Sequence, residues 1–73
     1  MKKHLERIKS LREDNDLTQE DLGKKLKISQ RAYSHYETGE RNIPVEIICD
    51  LADIYNTSTD YILGYSDNKK KDK

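Results

Sequence analysis

The most constraining feature of this sequence is the short distance between two segments that carry helix signals. Thr18 and Asp21 form a capping box, in which each side chain bonds to the other residue's backbone N–H at the start of a helix. Ser29 can cap the next helix, and Gly39 can end it because glycine adopts a positive φ without steric cost. The residues left for the turn are Lys27-Ile28. The sequence therefore predicts two consecutive short helices joined by a very tight turn.

Helical spacing on either side of this unit predicts three further helices. Apolar residues recur from Leu5 to Leu11, and we expect Asn15 to end this first helix in the left-handed conformation. Pro44 suits the first turn of a fourth helix, and Ser58 can cap a short fifth helix that Gly64 closes. The apolar positions of the fourth helix are Val45, Ile48, Cys49, Ala52 and Tyr55.

Length and composition fit a single all-α domain. A chain of 73 residues has room for one small core, and one proline with three glycines is too few turn residues for a sheet protein. We therefore predict a compact five-helix bundle over residues 1–66, followed by a disordered polar tail over residues 67–73.

Several classes of protein are excluded by what the sequence lacks. No apolar run approaches the roughly 18 residues that a membrane span requires, and no signal-peptide pattern follows Met1, so we expect a cytoplasmic protein. Cys49 is the single cysteine, and with His4 and His35 it gives no zinc-ligand spacing. On the apolar side of the fourth helix, Cys49 is expected to be a small core residue. We predict no metal, no cofactor and, in the absence of a clustered nucleophile and base, no enzymatic activity.

The third helix has two chemically different faces. At about 100° per residue, Ala32, Tyr33 and Tyr36 share one arc, which must pack on the core. Glutamine can pair bidentately with adenine and arginine with guanine, so the opposite arc indicates base recognition in a DNA major groove. Such a polar face can also be merely solvated, an alternative that the tight preceding turn disfavours. The residues of the opposite arc are Gln30, Arg31, Ser34, His35 and Thr38.

Arg12 lies on the apolar face of the first helix, where a charge needs a partner. Glu37 is the natural candidate, because it stands at the border of the two arcs of the third helix and can reach inward. An Arg12–Glu37 pair would lock the first helix to the third. The alternative is that the Arg12 side chain reaches past the core to solvent.

These motifs together resemble the Cro/C1-type (XRE-like) helix-turn-helix domain of phage repressors and small bacterial regulators. The resemblance covers about residues 5–64 and implies a lambda repressor-like fold of five helices, in which the second and third form the DNA-binding unit. The residues that carry it are Leu11-Arg12, Leu17-Thr18-Gln19-Glu20-Asp21-Leu22, the segment from Ile28-Ser29 to Tyr36-Glu37-Thr38-Gly39, Arg41-Asn42, Leu51-Ala52 and Ser58-Thr59-Asp60-Tyr61-Ile62-Leu63.

Site residues follow from the resemblance position by position. It implies base contacts by Gln30, Arg31 and His35, contacts to bases or backbone by Ser34 and Thr38, and phosphate contacts by Gln19, Arg41 and Asn42. It also supports the pair of Arg12 with Glu37. This chain departs from the family at Gly23, where alanine is usual, and glycine should weaken the second helix by up to about 1 kcal/mol.

The formal net charge is zero, whereas DNA-binding domains are usually basic. Its distribution is uneven: residues 1–42 carry ten Lys/Arg against eight Asp/Glu, and residues 43–66 carry none against four. One surface can therefore still be positive. The competing interpretation is a protein-interaction module of the same fold, such as an antitoxin or anti-repressor, which the neutral charge favours.

Apolar residues outside the main core arc suggest a homodimer interface. Ile47 and Ile54 share a stripe with Leu51, and together with residues of the fifth helix they could pair two copies; scattered surface apolar residues are the alternative. We expect a sequence-specific regulator that binds double-stranded DNA, represses transcription and occupies a palindromic operator as a dimer. The candidate interface residues are Ile47, Ile54, Tyr61, Ile62 and Tyr65.

Overall fold

Residues 3–69 are described by the computed structural model of this chain, and they form five α-helices. The predicted all-α, five-helix fold is confirmed. Of the predicted tail, residues 70–73 lie outside the described residues. The helices are α1 (Lys3–Asp14), α2 (Gln19–Leu26), α3 (Gln30–Thr38), α4 (Val45–Ile54) and α5 (Thr59–Leu63).

Side-chain caps start three of these helices, as the sequence predicts. The Thr18 hydroxyl accepts a hydrogen bond from the Asp21 N–H, and the Asp21 carboxylate accepts one from the Thr18 N–H. These bonds hold the pKa of the Asp21 carboxyl below its usual value. The hydroxyls of Ser29 and Ser58 each accept from the N–H three residues further on. Helix starts are therefore encoded locally, by residues that satisfy otherwise unpaired N–H groups.

Left-handed residues end the helices, in one case at an unexpected position. Gly39 and Gly64 close α3 and α5, each with a φ of 88°. The expectation that Asn15 would end α1 in this way was wrong, because Asp16 carries the positive φ of 57°. Asn15 instead stays bonded to the helix, and its side-chain amide donates to the Leu11 carbonyl at 2.8 Å.

The core forms where the helices converge, and each helix contributes a fully buried side chain. α1 packs against α3 and α5, while α2 packs against α3 and α4. No helix within residues 3–69 is long and apolar enough to cross a bilayer. The fully buried apolar side chains are Ile8, Leu22, Tyr33, Leu51 and Ile62.

The orientation of α4 differs from the one that its apolar spacing predicted. Pro44 is the N-cap and not the first helical residue. Cys49 is exposed, so its expected place in the core was wrong, and Val45 is 75% exposed. The buried residues of α4 are Ile48, Leu51 and Ala52. At about 100° per residue, this set leaves Val45 and Cys49 at the margin of the core-facing arc.

The candidate dimer residues occupy different environments. Ile62 is fully buried, so its assignment to a dimer interface was wrong. The physical reason is that α5 is a single short turn of five residues, and Ile62 is the one that it buries. Leu51 is also fully buried, whereas Ile47 and Ile54 are half-buried against the core. Tyr65 is 84% exposed.

Arg7 holds the segment that follows α5, an interaction that the sequence did not reveal. Its guanidinium donates to the carbonyl oxygens of Tyr61 and Ser66 at 2.7 and 2.6 Å, and to the Asp67 carboxylate at 2.8 Å. The same guanidinium lies over the Tyr61 ring, 4.1 Å from its centroid. The Thr57 hydroxyl donates to the carbonyl of Lys69. Residues 66–69 are therefore tied back to α1 and to the α4–α5 connection.

Gly23 allows α2 to lie close to the start of α3. A Cβ at this position would be 3.0 Å from the Ile28 carbonyl oxygen and 3.1 Å from the Gln30 nitrogen. Glycine lowers helix propensity, but here it also permits a close backbone approach across the turn. Its unfavourable effect on α2 is therefore offset by the closer contact between the two helices.

Tyr55 has a buried hydroxyl with no hydrogen-bond partner among the described residues, and burial raises the pKa of Tyr55 to about 12. Tyr55→Phe should therefore raise the free energy of unfolding by about 1 kcal/mol or more, because it removes an unsatisfied polar group. Urea unfolding monitored by circular dichroism measures the change. Tyr65→Phe, the same change at an exposed ring, should leave stability unaltered; a loss of stability in the Tyr55 variant would contradict the prediction.

Candidate nucleic-acid interface

The turn between α2 and α3 is built on one left-handed residue. Lys27 has a φ of 61°, and its N–H donates to the Lys24 carbonyl at 3.2 Å. The Ile28 N–H donates to the Gly23 carbonyl at 2.9 Å, and the Ile28 side chain packs against the core. Ser29 then caps α3. Three residues thus connect the two helices while satisfying the end of one helix and the start of the next.

The outer face of α3 presents polar side chains to solvent. Gln30, Arg31 and Thr38 are exposed, and Ser34 and His35 are half-buried. The opposite side carries the buried residues, Tyr33 and Glu37. All five side chains that sequence analysis placed on the outer arc therefore remain accessible.

A buried carboxylate on the inner side of α3 fixes the position of that outer face. The Arg12 guanidinium binds Glu37 bidentately, with Nε to Oε2 at 2.9 Å and Nη2 to Oε1 at 3.0 Å. The Tyr33 hydroxyl donates to Oε2 at 2.7 Å, and the Gln19 amide donates to Oε1 at 3.1 Å. Arg12 also donates to the Leu17 carbonyl at 3.0 Å. These bonds connect α1, the α1–α2 linker, the start of α2 and α3.

Electrostatics favours the ionised form of this cluster. Burial alone would raise the pKa of the Glu37 carboxyl, but hydrogen bonds from Arg12, Tyr33 and Gln19 outweigh burial and hold that pKa below its usual value. The hydrogen bond to Glu37 raises the pKa of Arg12. Burial, reinforced by the neighbouring carboxylate, raises the pKa of Tyr33, which therefore stays neutral and donates its proton in the hydrogen bond.

The residues expected on the phosphate backbone lie in two places. Gln19 begins α2 and is half-buried, with one amide hydrogen bonded to Glu37. Arg41 and Asn42 are exposed in the loop after α3, and the Arg41 N–H donates to the His35 carbonyl at 3.2 Å. This bond holds the loop against the last turn of α3. The hydrogen bond of the Gln19 side chain within the protein was not predicted by the sequence analysis.

Glu40 is an acidic residue at this surface that sequence analysis did not single out. Its Oε1 accepts a hydrogen bond from the Thr38 hydroxyl at 3.1 Å and lies 3.8 Å from His35 Nε2. The signal that could have revealed it is its place just beyond Gly39, because a left-handed cap turns the chain back along the helix. Arg31 and Arg41, in contrast, form no ion pair within residues 3–69.

Comparisons with known proteins agree on one family. The family model described as helix-turn-helix matches residues 8–62. The chain is 35% identical over 65 residues to the uncharacterized HTH-type transcriptional regulator YobD of Bacillus subtilis (strain 168), covering 89% of this chain and 58% of that protein. It is 34% identical over 67 residues to the HTH-type transcriptional regulator ImmR of the same organism, covering 92% and 53% of the two chains.

A third regulator of that organism, YqaE, is 34% identical over 65 residues, which cover 89% of this chain and 56% of that protein. The chain thus spans little more than half the length of the curated relatives that it matches. No solved structure matches it significantly. The similarity therefore concerns the helical unit described above and not the remaining parts of those relatives.

Arg12→Met should lower the free energy of unfolding by about 3–5 kcal/mol at neutral pH, because it leaves the buried Glu37 carboxylate without its cation. Urea unfolding of both proteins at several pH values measures this difference. In the wild type the pKa of Glu37 is lowered, so its stabilisation is present above the unfolded pKa of about 4.3 and is lost as pH falls through the folded pKa. The difference between the proteins should therefore shrink in acid.

The matched control for this prediction is Arg31→Met, which removes an exposed and unpaired guanidinium. It should change the free energy of unfolding by less than about 0.5 kcal/mol at any of these pH values. Equal losses from the two substitutions at neutral pH would show that the Glu37 cluster does not hold the fold together.

Proposed function

Because this chain belongs to the Cro/C1-type helix-turn-helix family of transcriptional regulators, we propose that it binds double-stranded DNA sequence-specifically and represses transcription by occupying an operator. The observation that carries the proposal is the outer face of α3. It presents side chains suited to base edges, on a helix whose rotation is fixed by the Arg12–Glu37 pair. The protein needs no cofactor and no metal for this role.

In the proposed complex α3 lies in the major groove and α2 crosses the phosphate backbone. Gln30 can pair bidentately with adenine and Arg31 with guanine. Ser34 and His35 lie one turn further along the same face and contact adjacent bases. Both arginine and glutamine are exposed at the N-terminal end of α3, which in this geometry is the end nearest the bases.

Phosphate contacts on both sides of the groove set the register of the protein. We assign them to Gln19 before the recognition helix, and to Thr38, Arg41 and Asn42 after it. Gln19 uses one amide hydrogen on Glu37 and has a second for a phosphate oxygen. The same side chain would then link the phosphate backbone directly to the cluster that orients α3. Arg41 forms no ion pair among the described residues, and it supplies the positive charge for these phosphate contacts.

A homodimer would match a palindromic operator with half-sites about 34 Å apart. Tyr65 is the interface candidate with the most accessible apolar surface, and the other exposed large apolar residues of the described chain, Val45 and Leu63, lie on α4 and α5. Val45 and Leu63 both line an open groove of about 340 Å³ between α4 and α5. Ile47, Ile54 and Tyr61 offer only half-buried surface. We therefore centre the proposed interface on Tyr65 and assign Ile47, Ile54 and Tyr61 to its edge.

The proposed setting is the cytoplasm of a bacterial cell, where the chromosome is accessible. The curated relatives come from Bacillus subtilis (strain 168), which is consistent with that setting. Repression needs no contact beyond the DNA itself, since a bound protein excludes polymerase from the same sequence.

DNA binding is tested by selecting a binding site from random duplexes and then measuring affinity by fluorescence anisotropy. If a dimer neutralises about six to ten phosphates, affinity should fall about 10³- to 10⁵-fold between 50 and 200 mM salt. Arg31→Ala should cost about 1–3 kcal/mol on the selected site and relax base preference at one position. Arg41→Ala should weaken binding to selected and random DNA alike. If both variants lost the same affinity on the selected and the random duplex, the assignment of Arg31 to a base would be refuted. An affinity that does not change with salt concentration would refute the proposed DNA binding.

The dimer is tested by sedimentation equilibrium with and without a palindromic duplex. Tyr65→Ser should shift the protein toward monomer and reduce cooperative filling of the two half-sites, because it removes the largest exposed apolar side chain of the proposed interface. Glu13→Ser, at an exposed position of α1, is the control and should change neither property. A wild type that fills the two half-sites independently would argue against a dimer.

A further inference from the structure

Glu40 brings a negative charge to the edge of the surface that the proposed function assigns to DNA. Its sequence neighbours Thr38 and Arg41 are two of the four proposed phosphate contacts, and His35, 3.8 Å from its carboxylate, is a proposed base contact. A carboxylate in such a place is unexpected for a surface that must approach phosphates. Its position therefore needs an explanation in terms of what it bonds.

Glu40 occupies a group that a phosphate would use, the Thr38 hydroxyl. The Thr38 hydroxyl has one hydrogen and two acceptors within reach, Glu40 Oε1 at 3.1 Å and the His35 carbonyl oxygen at 3.3 Å. The carboxylate is the closer of the two and the stronger acceptor because it is charged. The same Oε1 lies 3.8 Å from His35 Nε2. A carboxylate oxygen and a phosphate oxygen are both anionic acceptors, and each would take the same donors. In the free protein the Glu40 carboxylate thus accepts from the hydroxyl that the proposed function assigns to a phosphate.

Glu40 is also free to leave this position. Its side chain is 66% exposed, and the loop backbone is held separately, by the Arg41 N–H bonded to the His35 carbonyl. Exposed polar contacts of this kind add little to stability, so breaking them is easy. The larger effect on DNA affinity comes from the negative charge of Glu40, which remains near the phosphates after these contacts are broken.

We infer that Glu40 is a built-in competitor for the phosphate contacts at the C-terminal end of α3, and that it lowers the affinity of the protein for DNA. This inference rests on the proposed function, since it supposes that DNA approaches this surface. DNA must displace the carboxylate from Thr38 and then tolerate its charge. Two unit charges about 4 Å apart in water repel enough to weaken binding roughly fivefold for each bound protomer. Glu40 thereby limits binding that depends on phosphate contacts alone.

The test compares Glu40→Gln with Asp50→Asn, which removes one negative charge from the exposed surface of α4, outside the helix-turn-helix. Both variants and the wild type are titrated with the selected and the random duplex at low salt. Glu40→Gln should bind both duplexes roughly fivefold more tightly than the wild type for each bound protomer, and the gain should shrink as salt screens the charge. Asp50→Asn should stay within about twofold of the wild type. Equal effects from the two variants, or no gain from Glu40→Gln, would overturn the inference.

A second measurement separates this inference from the proposed function. Backbone amide NMR spectra of the wild type and Glu40→Gln are recorded during titration with inorganic phosphate, which needs no operator. The amides of Thr38 and Arg41 should respond at a lower phosphate concentration in the variant. The same response in both proteins would refute the competitor role even if DNA binds. Failure of the wild type to bind any duplex would refute the DNA-binding proposal, while the phosphate titration would still decide the role of Glu40.

Discussion

A single buried carboxylate determines how the parts of this domain are arranged. Glu37 accepts hydrogen bonds from Arg12 of α1, Gln19 of α2 and Tyr33 of its own helix, α3. A carboxylate taken out of water is strongly unfavourable unless each oxygen is bonded, and here both oxygens have two donors. The cluster is therefore formed only when α1, α2 and α3 are all in place. Without α1 the buried Glu37 carboxylate would lose its cation, and without α2 it would lose the hydrogen bond from the Gln19 amide.

The direction of these bonds matters as much as their energy. An apolar side chain at position 37 could fill the same volume, but it would accept several rotations of α3 about its axis. A bidentate guanidinium defines one rotation, because both nitrogens must meet both oxygens in one plane. Fixing the rotation of α3 also fixes which residues point outward. The exposure of Gln30 and Arg31 is thus a consequence of an interaction on the opposite side of the helix.

The features predicted well from the sequence are those decided by near neighbours in the chain. The caps at Thr18, Ser29 and Ser58 depend on residues three positions away, and the sequence displays both partners. The partner of Arg12 could be inferred because a charge on an apolar face has few solutions. Burial of Ile62 and exposure of Cys49 depend instead on how α4 and α5 dock. A helical pattern defines an apolar arc but leaves its centre uncertain by about one residue, and both errors lie within that margin.

The net charge of zero says less about DNA binding than the charges of the residues at the surface of α3. At physiological ionic strength charges are screened beyond about 8 Å, so a DNA duplex responds to the residues that it touches and not to the sum over the chain. The acidic residues of α4 and α5 have no Lys or Arg among residues 43–66 to balance them, and they lie outside the helix-turn-helix. Arg31 on α3 and Arg41 in the loop after it are exposed and form no ion pair within residues 3–69. A chain of zero net charge can therefore present a cationic surface at α3, provided that its acidic residues lie away from that surface. Glu40 is informative because it is an acidic residue that lies at the edge of it.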